Sequence, residues 1–539
     1  MQGGRRWYFW CGLMVLLASA ALLLCAADRR TLLLAGNSLW VGLGACAVSV
    51  PLGTVLALVL TRTDLPGRRL VFGLLASLLF LPLYLHAAAW DAGFGQLGWY
   101  STLRDLVPAP WLRGAGAVVW IHGLWSVPWV TVIVSAALHW SEPELEEAAL
   151  LDATVVQVFV RVTLRRALSG VLIATAWVLL AAIGDMTVTD LYQVRTLAEE
   201  IYTCYALGDD TATRLGLHTA LLVTGALSGA ALMFLDRLLT LAQQLPRRAP
   251  LVFSLGRWRW LVVAWVVLVL LLLIAVPLGN LVYQAGLVVR SAAGVPVRHW
   301  SLARCLELLV PWPATYRYAA VWEFRRPLCW TLAIGLSAAT LAVTTAAPLA
   351  WLARRGGLRA LPAIVLAAGG IGVLGPLVGV VLLQLMTAHD LPGLIWLRDQ
   401  TILAPVLATT WRSLPPAIVI CWLAFSSINQ AMFDAAQVDG AGWRTQFVHI
   451  GVRLRMPALV VAWLVSLATA CGELPASILV VPAGVTTVPI RVFGLLHAGV
   501  TNQAAAICLT SIVGFLLVAT AIQWLIAVVL RRAARATAP

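Results

Sequence analysis

Two acidic residues stand out from the long apolar runs around them. Asp185 and Glu473 occupy matching places in the chain, each directly after a glycine at the end of an apolar run. A carboxylate next to hydrocarbon is unfavourable, and such groups usually face a transport pathway or an ionic partner. Two interpretations are open. The pair lines a pathway or gate, or each carboxylate caps a helix end or pairs with a loop arginine such as Arg195 or Arg491.

The other reactive side chains exclude several kinds of chemistry. All 37 residues of the Lys and Arg class are Arg, whereas a phosphate-binding Gly-Lys-Ser/Thr loop and Schiff-base catalysis both need a lysine. The eight His have no metal-ligand spacing, the nine Cys form no C-x-x-C pair, and no nucleophile–base set lies within the apolar runs. These absences argue against an enzyme, and we predict no catalytic or metal residues. We expect no cofactor on this chain, and any ATP on a separate subunit.

Composition places the chain in a membrane. Of its 539 residues, 61% are hydrophobic and 11% are charged, far outside the range of a water-soluble domain. Apolar runs of about 18 to 25 residues recur, and each is long enough to cross a hydrocarbon core about 30 Å thick. Because lipid cannot satisfy backbone amides, these runs should be helices. The sequence therefore predicts an all-α, multi-pass protein of the lipid bilayer.

About twelve transmembrane helices are predicted, in two tandem six-helix repeats. The first repeat is 1–240, a cytoplasmic connector is 241–258, and the second repeat is 259–539. The predicted spans are 7–27, 36–61, 70–90, 115–139, 169–186, 215–236, 260–283, 328–353, 361–387, 402–426, 458–481 and 504–530.

A constant offset relates the two repeats. Ser126 and Ser413 are 287 positions apart, and so are Asp152 and Asp439. An even number of spans gives both repeats the same orientation in the membrane. The repeats should therefore pack about a pseudo-two-fold axis along the membrane normal, with a pathway between them.

Charge sets the predicted orientation. The net charge of +14 lies in arginines of short loops, which fits membrane orientation better than binding to nucleic acid. With the N-terminus in the cytoplasm, the inside segments carry a marked excess of Arg over acidic residues, whereas the outside segments are balanced. We predict that both termini are cytoplasmic. The outside loop 284–327, with six arginines, runs against the charge rule, but long loops follow that rule loosely.

Two polar segments interrupt the apolar pattern on the predicted cytoplasmic side, 144–168 and 429–457. In the second, the small residues at 434–436 permit close approach of a partner, and Gly440 permits a turn. Four apolar side chains there are candidate anchors for a partner: Phe433, Val438, Trp443 and Phe447. On physical grounds, the pattern fits docking of a cytoplasmic partner and an amphipathic helix on lipid headgroups equally well.

The spacing of these segments resembles the EAA loop of permeases from binding-protein-dependent ABC importers. The second segment has Asp434-Ala435-Ala436, three residues, Gly440, nine residues and then Ile450. In that family the loop is a coupling helix that fits a groove on a cytoplasmic ATPase subunit. The resemblance therefore assigns ATPase coupling to Glu147, Ala148, Ala149, Asp152, Ala153, Asp434, Ala435, Ala436, Asp439, Gly440 and Ile450.

Both segments depart from the family pattern. Asp434 stands where Glu is usual, and Val452-Arg453 stands where Leu-Pro is expected. In the first segment, Ala153 replaces the glycine and Thr163 holds the place of the isoleucine. We therefore expect the first loop to be a straighter helix with a weaker grip on its ATPase.

The resemblance also implies partners and a location. It implies two copies of a cytoplasmic ATPase subunit, an external solute-binding protein and the cytoplasmic (inner) membrane of a bacterium. A chain with two fused permease repeats is most similar to the ferric-iron permeases, and the segment 472–477 carries that likeness. Thiamine permeases are next, and permeases for phosphonate and polyamines share much of the pattern. The alternative is a twelve-helix secondary transporter, which explains the duplication but not the two matched loops.

Overall fold

The computed structural model of the chain describes residues 6–26, 29–103, 110–139, 143–208, 225–226, 228–229, 232–233, 251–292, 295–310, 319–387 and 391–536. These residues are almost entirely helical. Two strands, β1 (Leu287–Ala292) and β2 (Val295–Trp300), form an antiparallel hairpin in which Leu287 pairs with Trp300.

The helices of the first repeat alternate between long apolar rods and short connecting turns. They are α1 (Arg6–Ala26), α2 (Arg29–Arg62), α3 (Arg68–Leu78), α4 (Leu83–Phe94), α5 (Trp99–Leu103), α6 (Gly114–His139), α7 (Pro143–Asp152), α8 (Val155–Val158), α9 (Leu164–Gly184), α10 (Thr187–Leu191) and α11 (Leu197–Ala206). A π-helical turn, Phe159–Thr163, joins α8 to α9.

The part of the chain predicted as the second repeat, 259–539, also contains the β1–β2 hairpin. Its helices are α12 (Arg259–Leu270), α13 (Val276–Gly286), α14 (Leu302–Leu309), α15 (Ala320–Glu323), α16 (Arg325–Ala353), α17 (Leu361–Gly372), α18 (Gly375–Thr387), α19 (Pro392–Gln400), α20 (Leu403–Ser426), α21 (Gln430–Val438), α22 (Trp443–Thr445), α23 (Arg453–Gly472), α24 (Val488–His497) and α25 (Asn502–Ala536). The remaining helical turns are π-helical at Leu271–Ala275 and Gln446–Val452, and 3₁₀-helical at Gly256–Trp258 and Gly357–Ala360.

The prediction of an all-α membrane protein is confirmed. The described residues contain eight helices long and apolar enough to cross a membrane, or up to ten if each of two bent helix pairs is one span. The first predicted span, 7–27, falls in α1, which is not counted among these eight helices. The sixth, 215–236, lies mostly outside the described residues, as does 241–250 of the predicted connector.

The predicted third and ninth spans are not straight helices. Arg68–Leu78 and Leu83–Ser101 meet at 99°, and Gly357–Gly372 and Gly375–Thr387 meet at 111°. We call α3 with α4 the first bent pair and α17 with α18 the second. At each break the backbone becomes extended, at Pro82 in the first pair and at Val373 in the second. Proline cannot continue a helical hydrogen-bond ladder, and a hydropathy average does not detect such a break.

The long helices pack in two equivalent groups. In the first repeat α2, α6 and α9 contact one another, and in the second α16, α20 and α23 do the same. Small residues permit close approach: a Cβ on Gly53 of α2 would lie 2.6 Å from the Cβ of Val130 on α6. The repeats also contact each other, because α13 and α25 of the second repeat pack on α4 of the first.

Candidate functional site

The second polar segment forms a short helix, a turn and a return into the next span. The Asn429 side chain begins α21 by accepting a hydrogen bond from the Ala431 amide at 3.1 Å, as an N-cap residue does. After α21 the chain turns at Gly440, whose φ of 78° suits glycine and is unfavourable for other residues. The π-helical turn Gln446–Val452 then leads into α23.

Aromatic rings fill the inner face of this loop. Phe433 of α21 is buried, with its ring centroid 5.5 Å from that of Trp351 on α16. Phe425 and Phe447 complete the cluster, at 5.5 and 5.4 Å from Trp351. The guanidinium carbon of Arg354 lies 3.8 Å from the Trp351 ring centroid and 4.0 Å from that of Phe433, a cation–π arrangement.

The outer face of the second loop is open. Val438 is 88% exposed and Trp443 is 60% exposed, so these two predicted anchors are available to a partner. Phe433 is buried and packs inward, so the prediction was wrong for it, whereas Phe447 is half-buried and packs against the same aromatic cluster. Among the predicted coupling residues, Asp434, Ala435, Asp439 and Gly440 are exposed, while Ala436 and Ile450 are half-buried.

The first loop also breaks, contrary to our expectation of a straighter helix. Helix α7 ends at Asp152, and α8 begins at Val155. The Thr154 hydroxyl accepts from the Gln157 amide, and the Gln157 side chain accepts from the Thr154 amide, which is a capping box. This capping box starts a new helix without a glycine. The predicted coupling residues Glu147, Ala148 and Asp152 are exposed, while Ala149 and Ala153 are half-buried.

A fully buried ion pair holds the first loop to its repeat. The Nη1 of Arg62, the last residue of α2, lies 2.7 Å from Oε2 of Glu146, and both side chains are 0% exposed. The Thr163 hydroxyl donates to the other Glu146 oxygen at 3.0 Å, and Arg62 Nη2 donates to the Leu138 carbonyl at 2.8 Å. Burial of such a pair is tolerable only when these additional hydrogen bonds are made.

Sequence reasoning missed Arg62 and Glu146 as structural residues. Glu146 sits beside the exposed Glu147 in an acidic stretch, so composition does not reveal which carboxylate is buried. Comparison of equivalent positions in the two repeats gives one indication of the buried carboxylate. Glu146 and Phe433 are 287 positions apart, so an acidic residue stands where the other repeat has an aromatic core residue.

Asp185 and Glu473 make the same two kinds of contact. Each accepts a hydrogen bond from an amide three residues further on, Val188 for Asp185 and Ala476 for Glu473, both at 3.0 Å. Each also faces a basic side chain on a neighbouring long helix, α6 for Asp185 and α20 for Glu473. His122 Nε2 lies 3.4 Å from Asp185.

The partner of Glu473 is Arg412 on α20, whose Nε lies 3.6 Å from Glu473 Oε2. Of the two open interpretations, helix capping and contact with a basic side chain are present, but those basic side chains come from spans and are neither Arg195 nor Arg491. A pathway or gate role for Asp185 and Glu473 stays a prediction.

The His122 ring is positioned from two sides. Its Nδ1 atom lies 2.9 Å from the Val118 carbonyl oxygen, one turn earlier on α6, and its Nε2 atom faces the Asp185 carboxyl group. The pair of Glu473 and Arg412 joins opposite charges, which is how ionisable side chains inside membrane proteins are usually accommodated.

A small cavity with a mainly apolar lining lies beside Glu473. Its volume of about 10 Å³ holds about one water molecule, and its polar lining consists of Glu473, Thr331, Thr409, Ser477 and Thr487. Within the described residues, no three His, Cys, Asp or Glu side chains come together as they would to hold a metal ion.

Comparison with known proteins indicates a class. No protein-family model matches the chain. The chain is similar to YvgM of Bacillus subtilis (strain 168), described as a molybdenum transport system permease protein, with 29% identity over 155 residues. The match spans 26% of this chain and 66% of that relative, which is less than two thirds of the relative's length. The similarity is to a transport permease and covers about a quarter of this chain.

Proposed function

We propose that the chain is the membrane-spanning permease of an ATP-driven importer of the ABC type. The observation that carries the proposal is the pair of matched loops. Each loop presents an exposed short helix between two long spans, and each ends in a π-helical turn. Those turns begin at Phe159 and Gln446, which are 287 positions apart. In the proposal, both loops lie on the cytoplasmic side and offer equivalent surfaces to a pair of identical partners.

In this proposal, two cytoplasmic ATPase subunits bind the loops through the residues assigned above, Glu147 to Ala153 in the first loop and Asp434 to Ile450 in the second. ATP binds to those subunits, and this chain needs no cofactor. A solute-binding protein outside the bacterial inner membrane delivers the solute, and both termini lie in the cytoplasm. The ATPase dimer drives the change between inward- and outward-facing states because its two nucleotide states bind them with different affinity.

Two solute classes are the leading candidates. The resemblance of the fused repeats and of the segment 472–477 to ferric-iron permeases favours ferric iron. The name of the Bacillus subtilis relative favours a molybdenum oxyanion. Thiamine, phosphonate and polyamines are further solutes of the same importer class. Asp185 and Glu473 are proposed to line the pathway or gate between the repeats.

The test is ATP-dependent uptake by vesicles that contain the chain with its ATPase and binding protein, using labelled ferric iron and labelled molybdate. We expect Gly440→Pro to abolish uptake while the protein stays in the membrane, because proline cannot adopt the φ of 78° at this turn. Gly442→Ala is the matched control, since Gly442 has φ of −65° and open space for a Cβ.

The outcomes separate the alternatives. Uptake of one solute that is lost in Gly440→Pro and kept in Gly442→Ala supports both the importer and the second loop. Normal uptake by Gly440→Pro would remove the coupling role from that loop. Uptake that needs an ion gradient and no ATPase would replace the proposal with a secondary transporter.

A further inference from the structure

Two residues at equivalent positions hold the breaks of the two bent pairs. Trp125 on α6 and Arg412 on α20 are 287 positions apart. Trp125 Nε1 donates to the Leu81 carbonyl at 3.0 Å, at the break of the first bent pair. Arg412 Nη1 donates to the Gly370 and Val373 carbonyls at 3.0 and 3.1 Å, at the break of the second. Two different side chains therefore make the same kind of contact.

These carbonyls need a donor because each break removes their helical partners. The last carbonyls of a helix have no amide within the helix, and Gly370 and Val373 flank the end of α17 at Gly372. Leu81 precedes Pro82, which begins the extended stretch of the first break. An unpaired carbonyl at membrane depth is strongly unfavourable, so a donor from a neighbouring span stabilises the bent state.

Arg412 stands on a helix that is largely covered by protein. From 403 to 425, every residue of α20 is buried or half-buried. The Arg412 side chain is 24% exposed, and its other contact is Glu473, which is 12% exposed. A charged side chain inside a membrane protein at such a place is usually functional.

The Arg412 guanidinium joins three elements around the second loop. It stands on α20, which leads into the loop; it holds the break of the second bent pair; and it faces Glu473, directly after α23, which leads out of the loop. In the first repeat, the contact to the break and the contact to the carboxylate are made by two separate residues, one turn apart on α6. Trp125 holds the break, and His122 faces Asp185 after α9.

Each break also touches the other repeat. A Cβ on Gly472, at the end of α23, would lie 2.5 Å from Pro82 Cγ at the first break. Leu374, at the second break, packs in one cluster with Ile183 and Met186 from the end of α9. Both breaks therefore lie at contacts between the two repeats.

We infer that Trp125 and Arg412 are positioning residues for transport, which connect movement of the two loops to the breaks of the bent pairs at the interface between the repeats. This inference rests on the proposed function. Neither residue needs to touch the solute in this role. Loss of either contact should leave the ATPase subunits bound and hydrolysing ATP, but should reduce the solute moved for each ATP.

Trp125→Phe tests the first contact, because it keeps an aromatic ring and removes the N–H donor. Trp129→Phe is the matched control. Trp129 lies one turn further on α6, is half-buried like Trp125, and its Nε1 has no hydrogen-bond partner among the described residues. In reconstituted complexes, we expect Trp125→Phe to lower the solute moved per ATP by about fivefold, the scale of one lost neutral hydrogen bond. Trp129→Phe should leave it unchanged.

Arg412→Gln tests the second contact. We expect the solute moved per ATP to fall by about tenfold or more, because this donor is charged and serves two carbonyls. The KM for labelled ferric iron or molybdate should stay constant in both variants. Arg412→Lys should recover part of the loss, since one ammonium group can reach the carbonyls but cannot reproduce the planar contact to Glu473.

If Trp125→Phe and Trp129→Phe move the same amount of solute per ATP, the inference is overturned for the first repeat. A raised KM with an unchanged ratio of solute to ATP in Arg412→Gln would overturn it for the second, because that pattern belongs to a residue that binds solute. Failure of the proposed function looks different, since the wild-type chain would then neither bind the ATPase nor transport with ATP.

Discussion

The two loops share one backbone plan but are held by different chemistry. Glu146 and Phe433 are equivalent residues, and both are fully buried at the inner face of their loops. In the first loop the contact is a buried ion pair with Arg62, at the end of α2. In the second, Arg354 at the end of α16 stacks on Phe433 and Trp351. In both repeats, a cation at the end of a span holds the loop.

This difference changes how each loop responds to damage. A buried ion pair is directional, and loss of one partner leaves an uncompensated charge. An aromatic cluster is more tolerant, because each ring contact contributes about 0.5–1.5 kcal/mol and several remain when one is lost. The first loop should therefore fail abruptly, whereas the second should weaken in steps.

The largest effect is expected at the buried ion pair. Arg62→Leu or Glu146→Leu alone should lower the free energy of unfolding by about 3–5 kcal/mol, the usual result of leaving a buried charge unpaired. The double substitution should recover most of that loss, because no charge then remains buried. Thermal or denaturant titration of the protein in detergent measures the free energy of unfolding of the single and the double variants.

Glu147→Leu is the control, since Glu147 is the exposed neighbour of Glu146. Its effect on the free energy of unfolding should be within about 0.5 kcal/mol of zero. If the double substitution is no more stable than either single one, the loss comes from packing and not from an unpaired charge, and the contrast between the two loops fails.

A smaller effect is expected when the chemistry of the first loop is transferred to the second. Phe433→Gln removes the buried ring and should cost about 3 kcal/mol, as other large-to-small changes of buried aromatic residues do. Phe433→Glu should be more stable than Phe433→Gln by about 1 kcal/mol, because Arg354 lies close enough to pair with the new carboxylate. Unfolding measurements on both variants give the difference.

Arg354→Ala tests whether that difference comes from pairing of the new carboxylate with Arg354. In this background, Phe433→Glu should lose its advantage over Phe433→Gln, because the cation that pairs with the carboxylate is gone. An advantage that persists without Arg354 would show that the two span-end arginines are not equivalent.

Sequence reasoning reached the fold class, the long apolar helices and the position of both loops, because hydropathy and a constant offset are properties of single residues and their spacing. It did not reach the bends. Averaged over a window, each bent pair is apolar enough to count as one span, and the breaks depend on Pro82 and on the backbone at Val373.

Some features of the candidate site could likewise be predicted from the sequence, and others could not. Exposure of Asp434 and Glu147 follows from the loop pattern, since small and acidic residues lie together between two spans. The partners of Asp185 and Glu473 could not be found in this way. His122 and Arg412 stand 63 and 61 positions earlier in the chain, inside apolar runs. Only the packing of α6 on α9, and of α20 on α23, brings these side chains together.

The smallest expected effect concerns the turns, which the two loops also make by different means. The first loop turns with the capping box of Thr154 and Gln157, and the second with the positive φ of Gly440. Thr154→Ala should lower the free energy of unfolding by about 0.5–1 kcal/mol, as the loss of an exposed cap does. Gly440→Ala should cost about 1–2 kcal/mol, because a Cβ is unfavourable at that φ.

Gly440→Asn distinguishes backbone strain from loss of a contact. Asparagine enters the left-handed region more readily than alanine, so this variant should be more stable than Gly440→Ala. A Cβ added at Gly440 would meet open space, so a clash cannot account for the difference. If Asn and Ala are equally destabilising, the turn does not depend on the φ of Gly440, and the two loops then differ only in the buried residues that hold them.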